Sequence, residues 1–334
     1  MKLLRLVLQN VRGVPDGAYS FAHPASGEPL DLVLVTGPGA SGKSSLLDAI
    51  AAVKESVGPY GSPVSAAALV RSGAVEGRIE ATWKLTADER RRAQLTEAVW
   101  TTSLPVGPRA PAPSPEPKLA ALFAQCFHAP THGKFELFPS NRQLGRGAPR
   151  GVVPPLSEKA EARYRLGRDP EKYACLRPWL IELGVADSLA AVDRATAGGV
   201  LLRRDVPDSL APVKRAVAEL TPHLRLIGVE VREGRRDVLF RRASGEEVKL
   251  EDLSDSEQQA VLFAAVFHRI GLSRSVVLID TPELFFHPEE HARVLHGIAR
   301  LGEDNQIIAA TASAELLGGA APHQVIQLRA PGRA

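Results

Sequence analysis

The sequence predicts an α/β fold built around a phosphate-binding loop, and three observations carry that prediction. An apolar run, "LDLVLVTG" (Leu30 to Gly37), leads straight into "GPGASGKS" (Gly37 to Ser44), which fits G-x-x-x-x-G-K-[ST] in full and opens a helical pattern. A second buried-strand pattern, "SVVLID", ends far down the chain on Asp280. Both strand-rich ends flank a mostly helical middle, which suggests one domain closed from both ends of the chain.

Taken in order, Leu3 to Val11 alternates as a strand does, and "GRIEATWKL" (Gly77 to Leu85) alternates again. "ADERRRAQ" (Ala87 to Gln94) is a charge cluster expected on a solvated turn or helix face. "TSLPVGPRAPAPSPEPK" (Thr102 to Lys118) is expected to be a loop or stiff spacer, because repeated proline blocks helix and sheet ladders. "KFELFPSNR" (Lys134 to Arg142) reads as a strand ending in a polar turn, and "GRGAPRGVVPP" (Gly145 to Pro155) as irregular. From Ser157 to about Leu224 the pattern is helical, with breaks at Gly167, Gly184 and Gly198–Gly199. Three short strands follow, with turns at Glu233–Gly234 and Ser244–Gly245. "DSEQQAVLFAAVFHRIG" is a helix by its apolar spacing, "EEHARVLHGIARLG" another, "NQIIAAT" a buried strand and "HQVIQLRA" an edge strand. The expected divisions of a single domain (1–334) are a phosphate-loop lobe (1–100), a Pro/Gly-rich insertion (101–155), a helical lobe (156–225) and a C-terminal lobe (226–334).

Composition sets the outer limits. Of the 334 residues, 44% are apolar and 24% charged, the balance of an ordinary globular protein with a normal core. A net charge of +3 neither implies nor excludes a nucleic-acid partner. Two widely spaced cysteines, Cys126 and Cys175, lack the spacing of a zinc site and suit a reducing cytosol. The N-terminal charges are too close together for a signal peptide, and no apolar run reaches membrane-spanning length. A cytoplasmic location without membrane contact is expected.

The chemistry follows from residue type and order. Glycines let backbone N–H groups curl around phosphates, and a helix N-terminus adds partial positive charge. Within Gly37, Pro38, Gly39, Ala40, Ser41, Gly42, Lys43, Ser44 and Ser45, the Lys43 ammonium is expected on the outer phosphates and Ser44 on Mg²⁺, with Asp280 as the second metal group. In "LEDLSDSEQQA", Ser254 is placed to cap a helix, with Glu257 three residues later completing a capping box. The exposed N–H groups there suit another phosphate, which belongs to a second protomer if the site cannot fold back onto its own loop.

As a set, these motifs resemble the ABC-type ATPase heads of the RecF/SMC/Rad50 group, with the nearest likeness to compact ATPases of the overcoming-lysogenization-defect (OLD) and bacterial defence type. "LQNVRG", "LLDAIAA", "ELFPSNR", "LSDSEQQ", "LIDTPELFFHP" and "IIAATASAELL" each resemble a motif of that group, over roughly residues 1–85 and 215–330. The resemblance implies an α/β P-loop ABC-ATPase head: a mixed sheet core, N-terminal antiparallel strands and a helical lobe. It also implies that Gly37 to Ser45 hold ATP with Mg²⁺, and that Arg12 lies near the nucleotide. Ser254, Asp255, Ser256, Glu257 and Gln258 match the signature that completes a partner's site. Such heads pair head-to-tail around two nucleotides, which implies a homodimer, or a heterodimer with an active relative.

Four departures from the pattern stand out. Thr281 stands where the group has its catalytic glutamate, and a hydroxyl is no general base near neutral pH. Ala312 replaces the histidine that senses the γ-phosphate, Ser256 the signature glycine, and Gly39–Ala40 the usual Asn-Gly. Glu283, two residues beyond Thr281, is the alternative for orienting water, although Pro282 lies between them. Losing the general base typically costs about 10²–10⁴ in rate. The expectation is a nucleotide-binding head with weak or absent hydrolysis that scaffolds or regulates a partner effector, with anti-phage defence as the setting suggested by likeness. The chain ends soon after the last ATPase strand, so an effector such as a nuclease is expected to be a separate protein. The alternative is an active DNA-linked ATPase of RecF type, for which "REGRRDVLFRR" (Arg232 to Arg242) and "LLRRD" (Leu201 to Asp205) are candidate DNA-phosphate contacts. A P-loop kinase would not explain "LSDSEQQ" ahead of the aspartate strand.

Overall fold

Period-two alternation of apolar residues builds the first sheet. β1 (Lys2–Gln9) pairs antiparallel with β2 (Gly17–Ser20) on one side and β4 (Gly77–Lys84) on the other, and β5 (Val99–Val106) closes the order β2-β1-β4-β5. The computed structural model describes residues 1–60, 65–111, 114–125, 132–144, 165–196, 207–232 and 235–329. Continuous apolar runs build a second, parallel sheet, as expected for strands buried on both faces. Its order is β12-β3-β11-β10-β6, from β3 (Leu32–Thr36), β6 (Phe135–Phe138), β10 (Val276–Asp280), β11 (Gln306–Ala310) and β12 (Val325–Gln327). β12 is an edge strand, as its pattern suggests.

Helix α1 (Lys43–Val57) packs its Leu46, Leu47, Ile50 and Val53 into a core shared with the antiparallel sheet and one face of the parallel sheet. Trp83 anchors that core: its indole N–H donates to Thr102 Oγ1 at 2.8 Å, and its ring meets Phe123 and Phe135 edge-on. The opposite face of the parallel sheet carries a second core, under α4 (Leu176–Thr196), α5 (Ala211–Leu220), α6 (Asp255–Ile270) and α7 (His291–Arg300). A small antiparallel sheet, β7 (Leu224–Arg232), β8 (Arg235–Arg242) and β9 (Glu247–Lys249), joins this side.

Three expectations need correction. The proline-rich stretch from Thr102 begins inside β5, with Pro105 on an edge strand, where a missing N–H disturbs no inner ladder. Pro117 then opens α3 (Pro117–Gln125), since proline is tolerated in a first helical turn. The segment 101–155, expected to be an insertion, therefore supplies part of both sheets, because β6 also comes from it. The charge cluster at Ala87 forms α2 (Ala87–Ala93), and Glu89 is not solvated there. It is buried, accepts from the Thr86 backbone and binds the Met1 amine. The irregular stretch 145–155, Cys126, the glycine pair 198–199, the turn 233–234 and the basic run 201–205 lie outside the described residues.

Candidate functional site

Register places the site. In the parallel sheet Val35 pairs with Ala310, and Ala310 with Asp280, so β3, β11 and β10 end at one level. The glycine loop, Thr311–Ala312 and Thr281 therefore leave the same edge side by side, where open parallel sheets usually offer ligand crevices.

The loop is shaped by glycine. Gly42 has φ 92° and caps α1, and a side-chain carbon on it would lie 2.8 Å from the backbone of Gly13 and Val14. Gly37, at φ 153°, would meet Leu328 O and Ser41 Oγ at 2.6 Å. Ala40 holds φ 60° without being glycine, at some cost in strain. Pro38, Gly39 and Ala40 are exposed at the tip, while Ser41 is buried, its hydroxyl without a hydrogen-bond partner among the described residues. Lys43 Nζ donates back to Gly37 O at 2.8 Å and Pro38 O at 3.0 Å, carbonyls that phosphate oxygens would replace. Ser44 Oγ donates to Asp280 Oδ1 at 3.0 Å, so residues 236 positions apart meet as a hard-oxygen pair of the kind magnesium takes. Ser45 follows on the first turn of α1. These groups fit a magnesium nucleotide: the loop leaves no room for side chains at Gly37 and Gly42, and its hydroxyl and carboxylate converge.

Three more side chains, Arg12, Asp48 and Arg168, complete the arrangement. Asp48 lies one helical turn beyond Ser44, the spacing that shares a face. Its Oδ2 accepts from Arg12 Nη1 and its Oδ1 from Arg168 Nε, both at 2.8 Å. Arg168 Nη1 reaches Asp280 Oδ2 at 2.7 Å. Burial alone would lower the Arg168 pKa, yet Asp48 and Asp280 raise it above the ordinary arginine value. Arg12 and Asp48 fall in the stretches "LQNVRG" and "LLDAIAA", and the i+4 spacing of Asp48 is visible in the sequence as well. Arg168 stands beside the Gly167 break of the expected helical stretch, 112 residues from Asp280, and topology alone brings it in.

"ELFPSNR" is a strand ending in a polar turn, with Ser140 and Asn141 exposed, and Arg142 beyond them is buried. It donates to Asp280 O and Thr281 O at 2.8 Å and to Gln259 Oε1 on α6 at 2.7 Å, which fixes the end of β10 against that helix. Burial pulls its pKa down to about 10. Thr281 takes φ 52°, rare for a β-branched residue, and its hydroxyl turns back to Asp280 O at 2.7 Å. Glu283 Oε1 accepts from Thr311 Oγ1 at 2.9 Å and Ala312 N at 3.0 Å, while its Oε2 is buried without a partner. Glu283 and Ala312 are thus brought together, with the carboxylate tying the β10 and β11 turns.

The signature residues lie apart from this cluster. Ser254 caps α6 by accepting from Glu257 N, and Glu257 Oε2 accepts from Ser254 N at 2.8 Å, the capping box expected. Ser254 and Asp255 are exposed, Ser256 Oγ lies 3.2 Å from Ser254 Oγ, and Gln258 Nε2 donates to Leu253 O. Burial would raise the Glu257 pKa, but Arg242 and Ser254 hold it below the usual value. In the basic run of β8, Arg241 pairs with Glu247, and Arg242 with Glu246 and Glu257. Those two charges are already committed.

No family model matches the chain, and no curated protein matches its sequence. Solved structures do match. The fold is that of an ABC-type ATPase head, and within that class the likeness is to SMC heads. The SMC head bound to the C-winged helix domain of ScpA is 14% identical, with a TM-score of 0.58 over 98% of this chain and 94% of that one. The SMC head domain with an extended coiled coil, bound to the C-terminal domain of ScpA and derived from Pyrococcus furiosus, is 12% identical, with a TM-score of 0.56 over 98% and 93%. Among the described residues no helix is long and apolar enough to cross a membrane.

Proposed function

We propose that this chain is a nucleotide-binding head that holds ATP with Mg²⁺ and hydrolyses it slowly or not at all. The observation that carries this is the meeting of Ser44 Oγ and Asp280 Oδ1 at 3.0 Å beneath the glycine loop, beside a turn whose Thr281 and Ala312 offer neither base nor cation. Ser44 and Asp280 would hold the metal, which would neutralise phosphate charge. Lys43 would leave its loop carbonyls for the outer phosphates. Glu283 has one oxygen bound to the β11 turn, so it acts as a brace for that turn.

A second head would complete the site. Ser254 is exposed at the N-terminus of a 16-residue helix and bonds only within its own turn among the described residues, so its surface is free for another protomer's phosphate. A nucleotide-locked pair, homodimeric or with an active relative, would then present a surface to an effector. The neighbouring SMC heads are themselves described as bound to ScpA, which supports a partner-docking reading. The likeness to compact defence ATPases makes an anti-phage effector the first partner to seek.

Nucleotide-dependent association tests the reading. Light scattering with a non-hydrolysable ATP analogue should give a dimer that Lys43→Ala and Ser254→Arg each abolish. A monomer at saturating nucleotide would contradict it.

A further inference from the structure

Nucleotide sites of this type place a divalent cation between a loop hydroxyl, a strand-end carboxylate and the phosphates. In this chain a guanidinium borders that place. Arg168 Nη1 lies 2.7 Å from Asp280 Oδ2, its Nε 2.8 Å from Asp48 Oδ1 and its Nη2 3.3 Å from Ser44 O. Asp280 therefore divides its carboxylate, one oxygen to the Ser44 hydroxyl and the other to Arg168.

The guanidinium is held from two sides, which fixes its position, and the two carboxylates keep it charged. A guanidinium carries five N–H donors in a rigid fork. Three are engaged here, leaving two N–H groups for another acceptor, on a side chain 31% exposed. Phosphate oxygens match that fork in both geometry and charge. Arg12 and Arg168 face Asp48 and Asp280, two cations to two carboxylates, and Lys43, held on the carbonyls of the adjoining loop, adds a further positive charge before any metal arrives.

We propose that Arg168 supplies from within the chain the positive charge that a divalent cation ordinarily brings, so that this site binds a nucleoside triphosphate without Mg²⁺. The proposal rests on the nucleotide-binding reading above and adds a specificity to it. Ser44 and Asp280 can still take the metal, but affinity does not depend on it. The arrangement suits a turn with no base at Thr281: a site that holds its nucleotide needs charge neutralised, not water activated.

Titration calorimetry with a non-hydrolysable ATP analogue, in Mg²⁺ and in excess EDTA, tests this on the full chain. The wild type should show affinities within about threefold of each other. Arg168→Ala should raise the ratio of Mg²⁺ to EDTA affinity to about tenfold or more, the worth of one or two charged hydrogen bonds. Arg168→Lys should fall between, since it keeps the charge and loses the fork. A thermal melt of each variant confirms that it folds. Wild-type binding that collapses in EDTA, or an Arg168→Ala ratio equal to the wild type's, would overturn the proposal while leaving nucleotide binding in place. Absence of binding in both conditions would overturn both readings.

Discussion

Two turns leave the same edge of the parallel sheet, and they are built in opposite ways. The loop after β3 puts glycine where a side chain would collide, at Gly37 and Gly42, and ties its key cation to its own carbonyls. The turn after β10 puts a threonine at φ 52° and surrounds it with fixed partners: Arg142 on two of its carbonyls, and Glu283 across to Thr311 and Ala312. The first can exchange its internal bonds for a ligand's at little cost. The second holds still. Affinity and turnover would then reside in different turns, and a chain can keep one while giving up the other.

Three substitutions would break or sharpen that contrast. The largest effect is expected for Arg142→Ala, which removes a buried cation with its bonds to Asp280 O, Thr281 O and Gln259 Oε1, the two carbonyls keeping the Thr281 hydroxyl and the Leu284 N–H. It should lower unfolding free energy by about 3 kcal/mol in urea titration. A loss below about 1 kcal/mol would mean that the β10 turn does not depend on this brace. Lys43→Ala should leave stability close to wild type, since its partners are carbonyls of its own loop, one exposed and one half-buried, and weaken nucleotide affinity by roughly 100-fold, about 3 kcal/mol. Equal loss of stability would make Lys43 a structural residue. The smallest effect is expected for Thr281→Gly, which relieves a left-handed backbone and should raise stability by about 1 kcal/mol, read as a higher Tm. Destabilisation would mean that the Thr281 hydroxyl matters more than its strain.

Local patterns with one strong physical cause are legible in the sequence. The glycine loop, the helix it opens, the buried strand ending on Asp280 and the Ser254–Glu257 capping box each rest on a few neighbouring residues, and each is present. Where tertiary context overrides composition, sequence patterns fall short. Pro105 sits within β5 because an edge strand tolerates it, and Phe135–Phe138, legible as a strand, joins the edge of the parallel sheet from a stretch whose composition suggests an insertion. Glu89 looks like one charge among several until folding brings the chain's own amine to it. Arg168 carries no signal at all: nothing local distinguishes it from other arginines, and its two carboxylates lie 120 and 112 residues away.

The central claim is that holding nucleotide and hydrolysing it are separated here, and one purified sample tests it. Nucleotide binding and phosphate release would be measured together at saturating ATP, with Thr281→Glu alongside. Saturable binding without turnover in the wild type, and release that appears in Thr281→Glu, is the predicted result. Wild-type turnover that disappears in Lys43→Ala would contradict the claim, and would mean that another carboxylate, Glu283 first among them, activates water.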